Sequence, residues 1–138
     1  MNLRRATSAE DFDCIAALQA LTLPDDRPCA LNVGAWWVAH IDGDPVAFAG
    51  VRPSSRWSDC LYLCRSGVVP EWRGKGLQKR LIAVRERYAK AQGAAWLISD
   101  TTHNPASANS LAARGFRMYE PAVPWGGRHT LYWRKRIA

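Results

Sequence analysis

The stretch Val68-Val69-Pro70-Glu71-Trp72-Arg73-Gly74-Lys75-Gly76-Leu77-Gln78-Lys79-Arg80 decides how the chain is read. It starts as the end of a β-prone run, turns through two closely spaced glycines and continues into residues with helical spacing. A strand that passes through a glycine-rich turn into a helix gathers unpaired backbone N–H groups and the positive end of the helix dipole around one point. Glycines let the main chain approach phosphate oxygens, and Arg73, Lys75 and Lys79 add charge that a diphosphate can use. The segment is therefore a candidate anion site. Two other phosphate loops are excluded, since the chain has neither GxxxxGK[ST] nor a GxGxxG with an acidic residue about twenty positions on.

The flanks supply the rest of the fold. Cys60 to Val69 predicts the strand that enters the turn, and the helix that leaves it runs through about Gln92, where Gly93 ends it. Ala94 to Ser99 predicts a short buried strand, Pro105 to Arg114 a helix capped by Asn104, and Phe116 to Tyr119 and Thr130 to Arg136 the closing strands. Upstream, Trp36 to Ile41 and Pro45 to Val51 form a hairpin around Asp42-Gly43-Asp44. The segment TLPDDRPCALNVG, with two prolines, is a loop or a broken second helix. Ser8 and Asp11 form a capping box with Asp in the place of Glu, opening a helix to about Leu21 whose apolar face is Ile15, Ala17, Leu18 and Leu21. Asn2 to Ala6 opens the chain as a strand. The predicted order is β, α, about four strands, α, β, α, β, β, a mixed sheet with helices on both faces.

A chain of 138 residues, 48% apolar and 22% charged, is expected to fold as a single domain over residues 1–138. No apolar run approaches the length of a membrane span, and MNLRRATSAEDFD turns polar where a signal peptide needs an apolar stretch, so a cytoplasmic protein is expected. Its four cysteines have neither CxxC nor zinc-ligand spacing; thiols and no metal are expected. A net charge of +7 favours anionic partners, either nucleic acid or a phosphorylated cofactor.

The segment Arg73-Gly74-Lys75-Gly76-Leu77 and its V-x-P-E-x-R-G lead-in resemble motif A of the GNAT acetyltransferases, [QR]xxGx[GA], with Gln78 where Gly or Ala is usual. Downstream, Asn104-Pro105-Ala106-Ser107, Leu111 and Gly115-Phe116 resemble that family's N-x-x-[AS]-x-x-x-Y-x-x-x-G-F phrase, with Leu111 in the place of Tyr. The resemblance implies an α/β (α+β) fold with a mostly antiparallel sheet of six or seven strands, helices on both faces and a splayed central strand pair. It implies acetyl-CoA as cosubstrate and N-acetyl transfer to a primary amine by direct attack. The backbone of Val68 and Val69 would lie beside the pantetheine arm, Arg73, Gly74, Lys75, Gly76, Leu77, Gln78 and Lys79 would hold the pyrophosphate, and Asn104 and Ser107 would line the path to the thioester.

Catalytic groups are less legible. Leu111 has no hydroxyl for the departing thiolate, which leaves Tyr119 as the candidate acid, set against a structural tyrosine packed on the sheet. Asp59 and Asp100 are the candidate carboxylate bases, with Glu71 and His103 nearby. Cys60, Tyr62 and Cys64 alternate onto one strand face, the pattern of core. Trp36, Trp57 and Trp125 lie on or near loops and could wall an acceptor pocket. The charge of +7 disfavours highly cationic acceptors, so a small or neutral amine is expected, bound by a monomer or homodimer. Two rival readings remain: an acyl-CoA-binding module with little turnover, and a small nucleic-acid-binding protein suggested by Trp133-Arg134-Lys135-Arg136.

Overall fold

The computed structural model describes residues 1–138 as seven strands and three helices. β1 (Asn2–Arg5) leads to α1 (Ala9–Thr22) through the expected capping box. Ser8 Oγ accepts the Asp11 N–H at 3.1 Å, and Asp11 Oδ2 accepts the N–H groups of Thr7 at 3.0 Å and Ser8 at 3.3 Å. The Thr7 N–H, followed by the Arg4 guanidinium at 2.8 Å, holds the Asp11 carboxyl down at about 2. The buried stripe of α1 differs from the expected one. It runs through Asp11, Ile15, Leu18, Gln19 and Thr22, and Leu21 is 63% exposed. Gln19 is turned inward because it organises the following segment, donating to Arg27 O at 2.6 Å and accepting from Cys29 N at 3.1 Å. That bonding holds residues 23–34 as an ordered loop without a second helix.

β2 (Ala35–Ile41) and β3 (Asp44–Pro53) form the expected hairpin. Asp42 (φ 51°) and Gly43 (φ 83°) are both left-handed, the backbone of a two-residue type I′ turn that matches strand twist. β4 (Cys60–Val68) follows, then a 3-10 turn at Pro70–Trp72 and α2 (Leu77–Ala91). Three strands, not about four, lie between α1 and α2. β5 (Trp96–Thr102), α3 (Pro105–Ala113), β6 (Arg117–Met118) and β7 (Thr130–Arg136) complete the chain. β5 starts later and runs longer than its apolar residues suggest. Ala94 and Ala95 N–H close the turn onto Ala89 O and Asp59 O, while polar Ser99 to Thr102 are held in the strand by pairing with β7.

The sheet order is β1-β2-β3-β4-β5-β7-β6, and every neighbouring pair is antiparallel except β4 and β5. The even residues Trp36 and Val38 of β2 join Ile15 and Leu18 of α1 in one core cluster, and the odd residues Ala35 and Trp37 join Ile82 and Ala89 of α2 and Leu111 of α3 in a second. Helices therefore cover both faces. Trp36, which the sequence placed near a loop, is 2% exposed and stacks on Phe48 at 6.4 Å between ring centres.

What positions the site is the centre of the sheet. The parallel pair β4 and β5 is bonded only across Cys60–Tyr62 and Trp96–Ile98, after which the strands splay apart. A bulge accompanies the splay: Ala49 lies opposite Ser66 but Val51 opposite Leu63, which gives β4 an extra residue across from Gly50. An inserted residue bends the strand and raises its twist, here away from β5.

Candidate active site

The turn after β4 needs its glycines for their backbone angles. Gly74 (φ 74°) and Gly76 (φ 84°) are left-handed, and a Cβ built on either meets nothing within 4 Å. The space beside them is open. Gly76 caps α2 with no side chain bonded to the helix end, so the first-turn N–H groups have no partner from a cap. Arg73 Nε donates to Val68 O at 2.9 Å and folds the turn back toward β4. Lys75 lies over the Trp72 ring, 5.9 Å from its centre.

The ladder between β3 and β4 decides which backbone groups face the splay. Val69 N–H donates to Val46 O at 2.9 Å, opposite its register partner, so in an antiparallel ladder Val68 and Ser66 turn their polar groups the other way. Arg73 occupies the Val68 carbonyl, and the Val68 N–H remains for the cleft. An outer cavity of about 540 Å³ runs beside it, lined by Val68, Arg73, Gly74, Gly76, Leu77, Gln78 and Lys79 from the turn and by Asn104 and Ser107 from α3. Asn104 also caps α3, its Oδ1 accepting Ser107 N–H at 3.1 Å. Of the predicted cofactor residues, Lys75 is not part of this lining and the Val69 N–H is turned to β3.

Ser66, Gln78, Asn104 and Ser107 also line an inner cavity of about 370 Å³ that continues into the splay. Its walls include Tyr62, Cys64, Arg85, Ser99, Asp100 and Leu111. Asp100 Oδ2 accepts two hydrogen bonds, from Tyr62 Oη at 2.9 Å and Trp125 Nε1 at 2.6 Å. Burial, and then the Asp100 carboxylate, push the Tyr62 hydroxyl well above the usual tyrosine range, so it remains a donor at neutral pH. Arg85 is 3% exposed, donates from Nε to Leu81 O at 3.0 Å and from Nη1 to Gly50 O at 3.1 Å, and has no carboxylate partner. Burial lowers it to about 10, still a cation at neutral pH.

Other candidates lie elsewhere. Tyr119 lines a separate cavity near the β6–β7 connection, with Arg134 Cζ 4.8 Å over its ring and Trp57 at 6.2 Å. Burial raises its hydroxyl. Asp59 sits at the closed end of the β4–β5 pair with φ 50°, its carbonyl accepting Ala95 N–H at 2.8 Å and Trp96 N–H at 3.2 Å. His103 packs against His129, 5.1 Å between ring centres.

Ser66 and Arg85 were not singled out by sequence, and Tyr62 and Cys64, read with Cys60 as a core face, line the inner cavity instead. Arg85 had a signal: it continues the buried i, i+4 stripe Leu77, Leu81, Arg85, Ala89, where a cation is out of place. Tyr62 had none, because its partners Asp100 and Trp125 are 38 and 63 residues away and meet it only through the sheet.

The sequence profile of the acetyltransferase (GNAT) family matches residues 6–116. An N-acetyltransferase from Staphylococcus aureus Mu50 superposes with a TM-score of 0.79 at 17% identity, covering 100% of both chains. The ribosomal-protein-S18-alanine N-acetyltransferase from Escherichia coli gives 0.76 at 16% identity, covering 99% of this chain and 95% of its own. A Salmonella typhimurium chain solved with its cofactor acetyl-CoA gives 0.76 at 17% identity, covering 100% of this chain and 94% of its own. At these identities the likeness carries the fold. Comparison with curated protein sequences gives no match. No helix is long and apolar enough to cross a membrane.

Proposed function

Because the chain belongs to the acetyltransferase (GNAT) family, we propose that residues 1–138 act as one catalytic domain that transfers an acetyl group from acetyl-CoA to a primary amine of a small acceptor by direct attack. The observation that carries this is the continuity of the cleft, which runs from the uncapped start of α2 along the free edge of β4 to the Asp100 carboxylate. Acetyl-CoA supplies an activated acyl group as a thioester.

The chain's own groups fit that cosubstrate. The first-turn N–H groups of α2 and the left-handed backbone at Gly74 and Gly76 offer donors and open space to a pyrophosphate, with Lys79 and Arg73 adding charge. The Val68 N–H is the free strand donor for an amide of the arm. Asn104 and Ser107 bound the path from the α3 side. Asp100 receives the acceptor and takes its proton. Tyr62 and Trp125 both hold Oδ2, which fixes the carboxylate and leaves Oδ1 for the amine.

Two observations favour a second reading, an acyl-CoA-binding module with little turnover: Leu111 stands where the family's phrase has a hydroxyl, and Tyr119 lies outside the cleft lining. A transfer assay with acetyl-CoA across amine classes, run beside calorimetric titration of acetyl-CoA, separates the two. Binding with turnover of at least one amine is expected. Binding without turnover of any establishes the module, and absence of binding removes both.

A further inference from the structure

We propose that the acceptor is a small amine that also carries a carboxylate, its amine seated on Asp100 and its carboxylate on Arg52 and Arg56. The inference rests on the transferase reading above and assigns the acceptor half of that site.

Tyr62 forms a wall shared by the inner cavity and a further cavity of about 330 Å³ whose lining includes Val33, Arg52, Arg56, Ile98 and Trp125. The two aromatic rings of this wall are used in the same way. Each gives its polar end to Asp100 Oδ2, and each carries an arginine against its ring. Arg52 Cζ is 5.4 Å from the Tyr62 ring centre and Arg56 Cζ is 5.6 Å from that of Trp125. The rings themselves meet edge to face at 6.4 Å.

None of the three charged groups is neutralised by the protein. The chain's ion pairs involve Arg4, Arg65, Lys90, Arg114 and Lys135, never Arg52 or Arg56, and Asp100 has no cation. One anion and two cations therefore bracket a pair of aromatic rings. The complement of that surface is a molecule with a positive end, a flat or apolar body and a negative end. An arginine fork matches a carboxylate in geometry as well as charge. A polyamine or other multiply cationic acceptor would set its second charge against Arg52 and Arg56, a juxtaposition that disfavours binding. Stacking on an exposed ring is by itself a weak reason to hold an arginine. It does not account for both arginines falling on the two rings that grip one carboxylate.

The test compares amines that differ only by a carboxylate at the far end of the body: 4-(aminomethyl)benzoate with benzylamine and 5-aminopentanoate with butylamine, with spermidine as the cationic control. On the full chain at saturating acetyl-CoA, each amino acid is expected to exceed its decarboxylated partner in kcat/KM by about tenfold or more, as charge-assisted bonds to arginine allow. In the Arg52→Gln/Arg56→Gln double variant the gap should close to about twofold through KM, with kcat and the melting temperature retained, since both side chains are exposed. Preference for benzylamine, butylamine or spermidine, or a gap the double variant leaves unchanged, overturns the proposal. Should no amine turn over, the same pairs are titrated onto the CoA-loaded protein. Tighter binding of the amino acids that is lost in the double variant upholds the anionic subsite while the transferase reading falls; equal binding, or none, overturns the subsite as well.

Discussion

The Ser66 hydroxyl donates to Gln78 Oε1 at 3.0 Å, tying β4 to the first turn of α2 where the outer and inner cavities meet. Gln78 occupies the position that the family's motif gives to Gly or Ala, and with Ser66 it lines both cavities. A pantetheine arm running from one cavity to the other passes this bond and is expected to open it. A net hydrogen bond is worth about 1 kcal/mol, or about fivefold in affinity. Gln78→Ala should therefore tighten acetyl-CoA binding by about that factor, measured calorimetrically. Weaker binding in the variant would show that Gln78 holds the arm instead of blocking it.

Gly76 answers a different question. Its φ of 84° costs a β-branched residue about 1–2 kcal/mol, yet a Cβ there meets no atom of the protein. Gly76→Val should thus fold with a modestly lower melting temperature and lose acetyl-CoA affinity far beyond what that strain explains. Gly43→Val, at φ 83° in the β2–β3 turn, is the control with equal strain and no cleft. Equal affinities for wild type and Gly76→Val would remove the pyrophosphate from this turn.

The elements with local causes were readable before the structure. The Ser8–Asp11 box, the Asp42-Gly43 turn, the Asn104 cap and the glycine turn into α2 each rest on bonds or angles within a few residues. What the sequence hid is built from long-range pairing. Asp100 is placed by β7, a strand more than thirty residues on, and becomes a wall of the site only because Tyr62 is paired to Ile98 in the one parallel register of the sheet. Gln19 is no part of the apolar face expected for α1 and is buried because its amide is spent on the backbone of Arg27 and Cys29. Residues 94–99 looked like the strand because they are apolar, while the strand extends into the polar run that lines the cleft.

Asp11 makes a pH prediction with a definite sign. Its carboxyl is lowered from 3.8 to about 2, mainly by the Thr7 N–H and then by Arg4. A depressed folded-state pKa stabilises above the unfolded value and loses that contribution as pH falls through the folded one. The melting temperature of wild type should exceed that of Asp11→Asn by a constant margin at neutral and mildly acidic pH. That margin should shrink between about 4 and 2, and a gap that persists undiminished below about 2 would place the stabilisation outside the carboxylate.

The last prediction concerns the leaving thiolate. The tyrosine hydroxyl of the family's phrase is missing from α3, because Leu111 stands there, 5% exposed in the core cluster beneath the inner cavity. The same cavity is lined by Arg85, a buried guanidinium bonded to two carbonyls and paired with no carboxylate. A fixed cation in a site shielded from water stabilises developing negative charge without reorganising, so it can replace a proton donor. Arg85→Gln should lower kcat and kcat/KM together by about a hundredfold while acetyl-CoA affinity is retained, the pattern of an interaction made in the transition state. The substitution also strips a donor from the Gly50 carbonyl, at a cost of about 1–3 kcal/mol, so melting is followed in parallel and rates are compared below the onset of unfolding. Arg85→Lys, which keeps the charge, should recover part of the rate. Tyr119→Phe should stay within about twofold of wild type, because that ring lines a different cavity. If instead Tyr119→Phe loses a hundredfold and Arg85→Gln does not, the β6–β7 hairpin closes over the cleft during turnover and its tyrosine protonates the thiolate, leaving Arg85 to fill the bulge of β4.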